Sequence, residues 1–497
     1  MKKYIDNNYY LTNKKFPGLL LKYNIYINNK NYILEQTKKD YVINGIKLDN
    51  NQKEAIYTDE INTLVLASAG SGKTLTICAK VKYLINNGIK PEEILVLSFT
   101  NASVNDLKDK INEDINIYTF HKLAVELLSD YNTYYSLTND YLEYIIKEIF
   151  LSIVKNISDK DLTYFINEIS SFIKLFKNYG LNKKYLDKIS KHNLLLKVID
   201  KIYEIYNDEL YSQGLFDFND LISNACNLIK TRGFKRYYRY IIIDEFQDIS
   251  KERSELIKLI KESCSSKIFA VGDDYQSIYK FSGSSVEMII NFKKYFGYTK
   301  VIKLINTYRN SLELVKVSNK FISKNPHQIK KNINSNKRKN KPIKIIYYIK
   351  NMNIKLKKIL DILPGDILIL SRNNKDINLV LDNEVTLESD YICYKDRKLN
   401  FKTVHKAKGL ESDNVILLNL NNSNYGFPNK IDNKIQKKIL PKDRYLYEEE
   451  RRLFYVALTR TKNNIYLLVD RQNPSIFVKE LIYNSKKHVE VINIWYN

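Results

Sequence analysis

Apolar residues follow two rhythms along this chain. The first is a short unbroken apolar run, the form of a strand covered on both faces of a parallel sheet. Residues 64–66, 94–98, 239–243 and 268–271 have it, and each runs into a loop carrying small or polar side chains. A helix of apolar spacing follows the first of them over 75–84, and another opens at 48–52 with Asp49 or Asn50 as its cap. The rhythm returns late in the chain, where 301–304, 343–348, 366–370, 415–420 and 464–468 read as strands of a second α/β unit. Strands alternating with helices predict an α/β fold with parallel sheets. The second rhythm is helical spacing, and it dominates 126–213 through the stretches 141–154, 162–176 and 194–210. It predicts a helical insertion that splits the first α/β unit into 47–125 and 214–300, with 301–497 as the second unit. Residues 1–46 are polar and aromatic, and the composition of 23–34, with asparagines at 28, 29 and 31, suggests a small β-rich accessory region.

Composition narrows the partners. The 497 residues suffice for about three domains of ~150 residues. Lys and Arg number 80 against 56 Asp and Glu, a net charge of +24. That excess favours a polyanion, nucleic acid ahead of an anionic membrane surface. Lys, Asn, Ile and Tyr are abundant throughout, which dilutes the inference. The basic run 330–344 lies in a Lys-, Asn- and Pro-rich stretch, 322–345, that reads as a loop, either solvated or touching phosphate. Four scattered cysteines form no CxxC pair and five histidines show no metal-ligand spacing. No run of about 18 apolar residues occurs, and the first 15 residues lack a signal-peptide core, so the expectation is a cytoplasmic protein with no membrane role.

Chemistry enters at residues 62–74, Asn-Thr-Leu-Val-Leu-Ala-Ser-Ala-Gly-Ser-Gly-Lys-Thr. A strand meets the small-residue loop Ala67, Ser68, Ala69, Gly70, Ser71 and Gly72, and a helix follows. Such a loop wraps backbone N–H groups around phosphates, and the helix N-terminus adds its positive end. Lys73 would reach the β- and γ-phosphates of ATP and Thr74 would hold Mg²⁺. Read alone, a Gly/Ser-rich surface loop is the plain alternative; the flanking strand and helix disfavour it. Asp244 and Glu245 close the apolar run 239–243, where hydrolysis needs one acid for Mg²⁺ (Asp244) and one to polarise water (Glu245). Arg309 and Arg460, both assigned to the second unit, would supply positive charge to the γ-phosphate across a cleft.

In order, Gln52, 67–74, Phe99-Thr-Asn101, Tyr118-Thr-Phe-His121, Asp217-Phe-Asn-Asp220, Asp244-Glu-Phe-Gln-Asp248, Val271 to Tyr279, Asn306-Thr-Tyr-Arg309, Thr403 to Glu411 and Glu449 to Arg460 resemble the Q motif and motifs I to VI of superfamily 1 helicases of the UvrD/Rep type. Phe281-Ser-Gly283 after motif III, the stretch 321–331 and the stretch 473–481 are similar to DNA helicase IV. The resemblance implies two RecA-like P-loop NTPase lobes with parallel sheets and a helical insertion in the first. With only 310–402 between motifs IV and V, the large 2B insertion of longer relatives would be absent or vestigial. It further implies an ATP- and Mg²⁺-dependent motor moving 3′ to 5′ on single-stranded DNA and opening partly duplex DNA, in repair, recombination or replication. The alternative it leaves open is an ATP-driven remodeller of nucleoprotein or RNA polymerase that does not unwind duplex. Gln276 would couple the γ-phosphate to DNA, and Gln52, Tyr308 and Glu411 would join the nucleotide site. Phe99, Asn101, His121, Tyr279, Phe281 and His405 would line the single-strand track, where aromatic rings stack on any base.

Overall fold

The computed structural model describes residues 33, 35–37 and 40–492, apart from 134–135, 139–140, 155 and 432. The strands expected over 23–34 lie outside the described residues, except that Ile33 is helical. Ahead of the first lobe, Val42–Ile43 and Ile46–Lys47 form a two-residue-deep antiparallel hairpin, so the boundary expected at 46 cuts through an element.

The first lobe is a six-stranded sheet, ordered Lys300–Lys303, Asn62–Leu66, Lys267–Gly272, Tyr240–Ile243, Ile94–Ser98, Asn116–Thr119, with every pairing parallel. Side chains alternate between two apolar layers, as a sheet covered on both faces requires. Leu64, Leu95 and Ile241 enter one layer with the helices Phe120–Asp130, Asp220–Arg232 and Lys251–Cys264. Val65, Val96 and Ile242 enter the other with Asn50–Tyr57, Lys73–Asn86 and Asn101–Ile111.

Two expectations are corrected here. The strand read at 301–304 belongs to the first sheet: Lys300–Lys303 pairs in parallel with Asn62–Leu66, and Ile302 and Leu304 join the first lobe's core. The apolar run was visible, but nothing local says which sheet an edge strand joins. The helical insertion also starts later than 126. Phe120–Asp130 packs Leu123, Leu127 and Leu128 into the first lobe, so the insertion begins beyond Asp130. It consists of Tyr141–Ile153, Asp159–Asn178, Lys183–Ser190 and Leu194–Ser212 around a core of its own. A parallel pair, Ser136–Thr138 with Leu215–Asp217, ties its two ends together.

The second lobe is an eight-stranded sheet. Ile367–Ser371, Ser412–Leu420, Thr461–Asp470, Ile343–Tyr348 and Val489–Val491 run parallel, and the meander Val385–Glu388, Tyr391–Tyr394 and Arg397–Thr403 adds an edge that is antiparallel within itself. The last strand of the meander joins Ile367–Ser371 in parallel. All described strands between motifs IV and V lie in this sheet. No helix among the described residues is long and apolar enough to cross a membrane.

Candidate functional site

A cavity of about 540 Å³ opens at the C-terminal ends of the first sheet and is closed by the second lobe. Its wall includes Gln52, the loop from Ser68 to Gly72, Lys73, Thr74, Glu245, Gln276, Tyr308, Arg309, Glu411 and Arg460. Ala67 is not in the wall; it is fully buried below the loop, its N–H donating to Gly272 O at 2.8 Å.

The loop must be small for reasons the structure makes concrete. Gly70 has φ +71°, and a Cβ there would stand 2.5 Å from Arg309 Cβ. Gly72 has φ +79°, and a Cβ would meet Gln52 Nε2 at 2.6 Å. Both positions need the left-handed backbone and the room that only glycine leaves. Ser71 Oγ braces the loop internally, donating to Ser68 O at 2.9 Å and accepting from Ser68 N at 3.1 Å.

Lys73 Nζ lies 3.1 Å from Glu245 Oε1. Burial acts to raise the Glu245 carboxyl, but Lys73 and Lys408, with a hydrogen bond from Gln247, hold it well below the usual carboxylate range. Asp244, buried behind it, is pushed the other way, first by burial and then by the Glu245 charge. The two adjacent acids are therefore driven apart in basicity, which separates their possible roles.

The far wall is arginine-rich. Arg460 is fully buried and donates to Gln276 Oε1 at 3.0 Å, while Gln276 Nε2 donates to Asp273 at 2.6 Å. Burial, and then the Arg309 charge, lower the Arg460 guanidinium to about 9. Arg309 donates to Glu411 Oε2 at 2.7 Å and to Thr459 O at 3.2 Å. Arg309 does not sit simply within the second lobe: Tyr308 N donates to Gly70 O at 2.9 Å, Thr307 Oγ1 to Ala69 O at 2.7 Å, and Asn310 Nδ2 to Thr461 O at 2.6 Å. The segment crosses from the first lobe to the second.

At the other end of the cleft, Gln52 Nε2 donates to Ser71 O at 3.1 Å. Asp49 caps the helix Asn50–Tyr57, completing a capping box with Gln52. Its second oxygen accepts from Tyr308 Oη at 2.6 Å and Asn306 Nδ2 at 3.0 Å. The sequence marked Asp49 only as a cap; its contact with residues some 260 positions away needs the fold. Lys331 was read within a basic loop, yet it is buried, pairing with Asp273, with Asp274 at 2.6 Å, and donating to Ala67 O at 2.9 Å. It is neither solvated nor a phosphate contact.

The proposed track residues fall into two groups. Tyr279, Phe281 and His405 are mutual neighbours, with Tyr279–Phe281 centroids 5.9 Å apart and Phe281–His405 5.5 Å apart, and Phe281 is 55% exposed. Burial, with Arg372 and Lys408, lowers His405 to about 3, so the ring is neutral. Phe99 packs 5.4 Å from Phe120 and His121 stacks 3.9 Å from Phe218. Burial and Arg253 lower His121 to about 4. Asn101 is exposed at the start of its helix. Between the nucleotide cleft and the first group stands Lys408, which pairs with Asp248, donates to Gln276 O at 2.7 Å and covers the Tyr279 ring at 5.0 Å.

The chain matches the UvrD/REP helicase N-terminal domain over residues 48–297 and the UvrD-like helicase C-terminal domain over residues 370–472. DNA helicase IV of Escherichia coli K12 is 28% identical over 482 residues, 86% of this chain and 69% of that protein. The probable DNA helicase of Mycoplasma pneumoniae is 28% identical over 495 residues, 89% of this chain and 88% of that one. ATP-dependent DNA helicase Rep of Buchnera aphidicola subsp. Schizaphis graminum is 32% identical over 322 residues, 61% of this chain but only 48% of Rep. The chain thus spans about half the length of that relative and most of the other two.

Proposed function

The chain belongs to the UvrD/Rep helicase family, and from that premise we propose that it is an ATP-driven motor that moves 3′ to 5′ along single-stranded DNA and opens duplex ahead of it. The observation that carries this reading is the unbroken set of contacts from the cleft to the aromatic cluster. Arg460 of the second lobe holds Gln276, Lys408 holds the Gln276 carbonyl and Asp248, and the same Lys408 covers Tyr279. A change in charge at the γ-phosphate position therefore bears on the residues that would grip DNA.

In this reading Lys73 and the loop bind the phosphates, and Glu245, kept ionised by Lys73, takes the proton of the attacking water. Arg309 and Arg460 face the developing charge from the opposite wall. The negative charge of an anionic ligand would offset both the burial and the Arg309 repulsion that depress Arg460. Gln52 and Tyr308, organised by Asp49, hold the base end of the nucleotide. Thr74 in the first helical turn and Asp244 at the end of its strand fit a divalent cation: Asp244 is a buried acid whose ionisation the protein alone disfavours. Mg²⁺ would supply the charge that keeps it ionised and would neutralise phosphate oxygens.

Strand displacement on 3′-tailed, 5′-tailed and blunt duplexes tests the proposal. Displacement of the 3′-tailed substrate alone is expected. DNA-stimulated ATP hydrolysis without displacement of any substrate would instead favour a remodeller of nucleoprotein complexes, and displacement from 5′ tails would reverse the direction.

A further inference from the structure

We propose that Arg253, seated over Phe99, is a backbone-phosphate contact of the single-strand track. The proposal rests on the DNA-motor reading above.

Arg253 lies in the first turn of the helix Lys251–Cys264, whose N-cap Ser250 accepts from the Arg253 backbone N–H at 3.3 Å. Its guanidinium carbon stands 5.0 Å from the Phe99 centroid and 5.8 Å from that of Phe120. The side chain is half-buried, yet among the described residues its guanidinium makes no hydrogen bond and no ion pair. Other arginines removed from solvent here are satisfied. Arg236 pairs with Asp130, Arg372 with Glu450, Arg451 with Glu480, and Arg460 with Gln276. Its guanidinium donors are not among the buried polar atoms left without a partner, so they are open to an acceptor from outside. Burial lowers the guanidinium from its ordinary value, against the Asp248 and Glu252 charges.

The surroundings indicate the kind of acceptor. Phe99 and Phe120 lie side by side next to the cation, His121 feels its charge, and Phe218, 48% exposed, stacks on His121. Rings offer faces to bases and a guanidinium offers a fork to phosphate oxygens. With both rings on one side of the cation, its N–H groups remain available to an acceptor such as a phosphate oxygen.

Binding of the full chain to labelled oligo-dT and to a mixed-sequence strand of equal length, followed by anisotropy across a salt series, tests this. Arg253→Gln should weaken both complexes by roughly tenfold, the loss of one charge-assisted hydrogen bond. It should also make the slope of log affinity against log salt shallower by about 0.7, one phosphate on a single strand. Arg253→Lys should restore the slope, and Arg253→Met, which keeps the packing on Phe99, should show the same loss and the same shallower slope even if glutamine perturbs the fold. Loss of affinity with an unchanged slope would overturn the proposal and leave Arg253 a packing partner of Phe99. Loss confined to the mixed sequence would overturn it in favour of base reading. Unchanged binding of these variants would overturn it alone, whereas failure of the unaltered chain to bind either strand would overturn the single-strand reading as well.

Discussion

Glu245 occupies the left-handed backbone region, φ 49° and ψ 41°, which costs a residue with a side chain about 1–2 kcal/mol. Strain of that kind persists where the surroundings over-determine it. Here Lys73 on one side and Gln247 on the other hold the carboxylate at the cavity wall. Glu245→Gln keeps the shape and removes the charge. Its expected result is ATP binding within a few-fold of the unaltered chain, by fluorescent-nucleotide titration, with turnover lowered by about 10²–10⁴. Turnover near that of the unaltered chain would remove Glu245 from the role of base. Much of this wall was legible from residue type and order, because a phosphate-binding loop and a strand-terminal acid pair carry their chemistry in a few adjacent positions. Asp49 with Tyr308 and the unpaired Arg253 were not legible, since each acquires meaning only from a side chain far away in sequence.

Elements were readable to the extent that their periodicity was strong. The buried strands and the three long helices of the insertion announced themselves, whereas the short helix Lys183–Ser190 and the meander over 385–403 did not. Two of the meander's strands, Val385–Glu388 and Arg397–Thr403, alternate apolar and polar residues on a partly exposed edge, so their apolar content is diluted. Tertiary assignment was the weaker link, and the loop between Ile322 and Ile343 shows why. Composition marks it as solvated, yet Lys331 dives beneath the phosphate-binding loop to pair with Asp273 and Asp274, and Gln328 donates to Asp274 Oδ2 at 2.7 Å. The loop thereby pins the segment that carries Gln276. Lys331→Met would leave two buried carboxylates without their cation, a change that costs about 3–5 kcal/mol when one partner of a buried pair is removed. A lowered thermal midpoint is expected, with Lys331→Arg recovering part of it. A midpoint equal to that of the unaltered chain would mean that the acids find another counter-charge.

At the scale of the molecule, two of the meetings between the lobes bear on how the cleft opens. The first meeting is the nucleotide cleft. The second is a strap of the second lobe, residues 433–443, that reaches the helical insertion of the first. Ile439 is buried in the insertion's own core, with Ile435 and Leu440 packed against it. Tyr185 Oη donates to Lys438 O at 2.6 Å, Asn433 Nδ2 to Glu168 at 2.7 Å, and Lys280 pairs with Asp443 at 2.7 Å. The strap ends one short step before the helix Glu448–Leu458, which leads to Arg460. Opening of the cleft must therefore either carry the insertion along or detach the strap from it. Ile439→Asp places a charge where an apolar side chain was buried, and a charge without a partner is not tolerated there. The strap should then separate from the insertion while each lobe keeps its core. Limited proteolysis should cut the variant within 429–446 at a protease level that spares the unaltered chain, and single-strand-stimulated ATP turnover should persist while strand displacement slows. An unchanged cleavage pattern would show that the polar contacts alone hold the strap. Equal loss of turnover and displacement would show that the strap supports the cleft itself rather than linking it to the insertion.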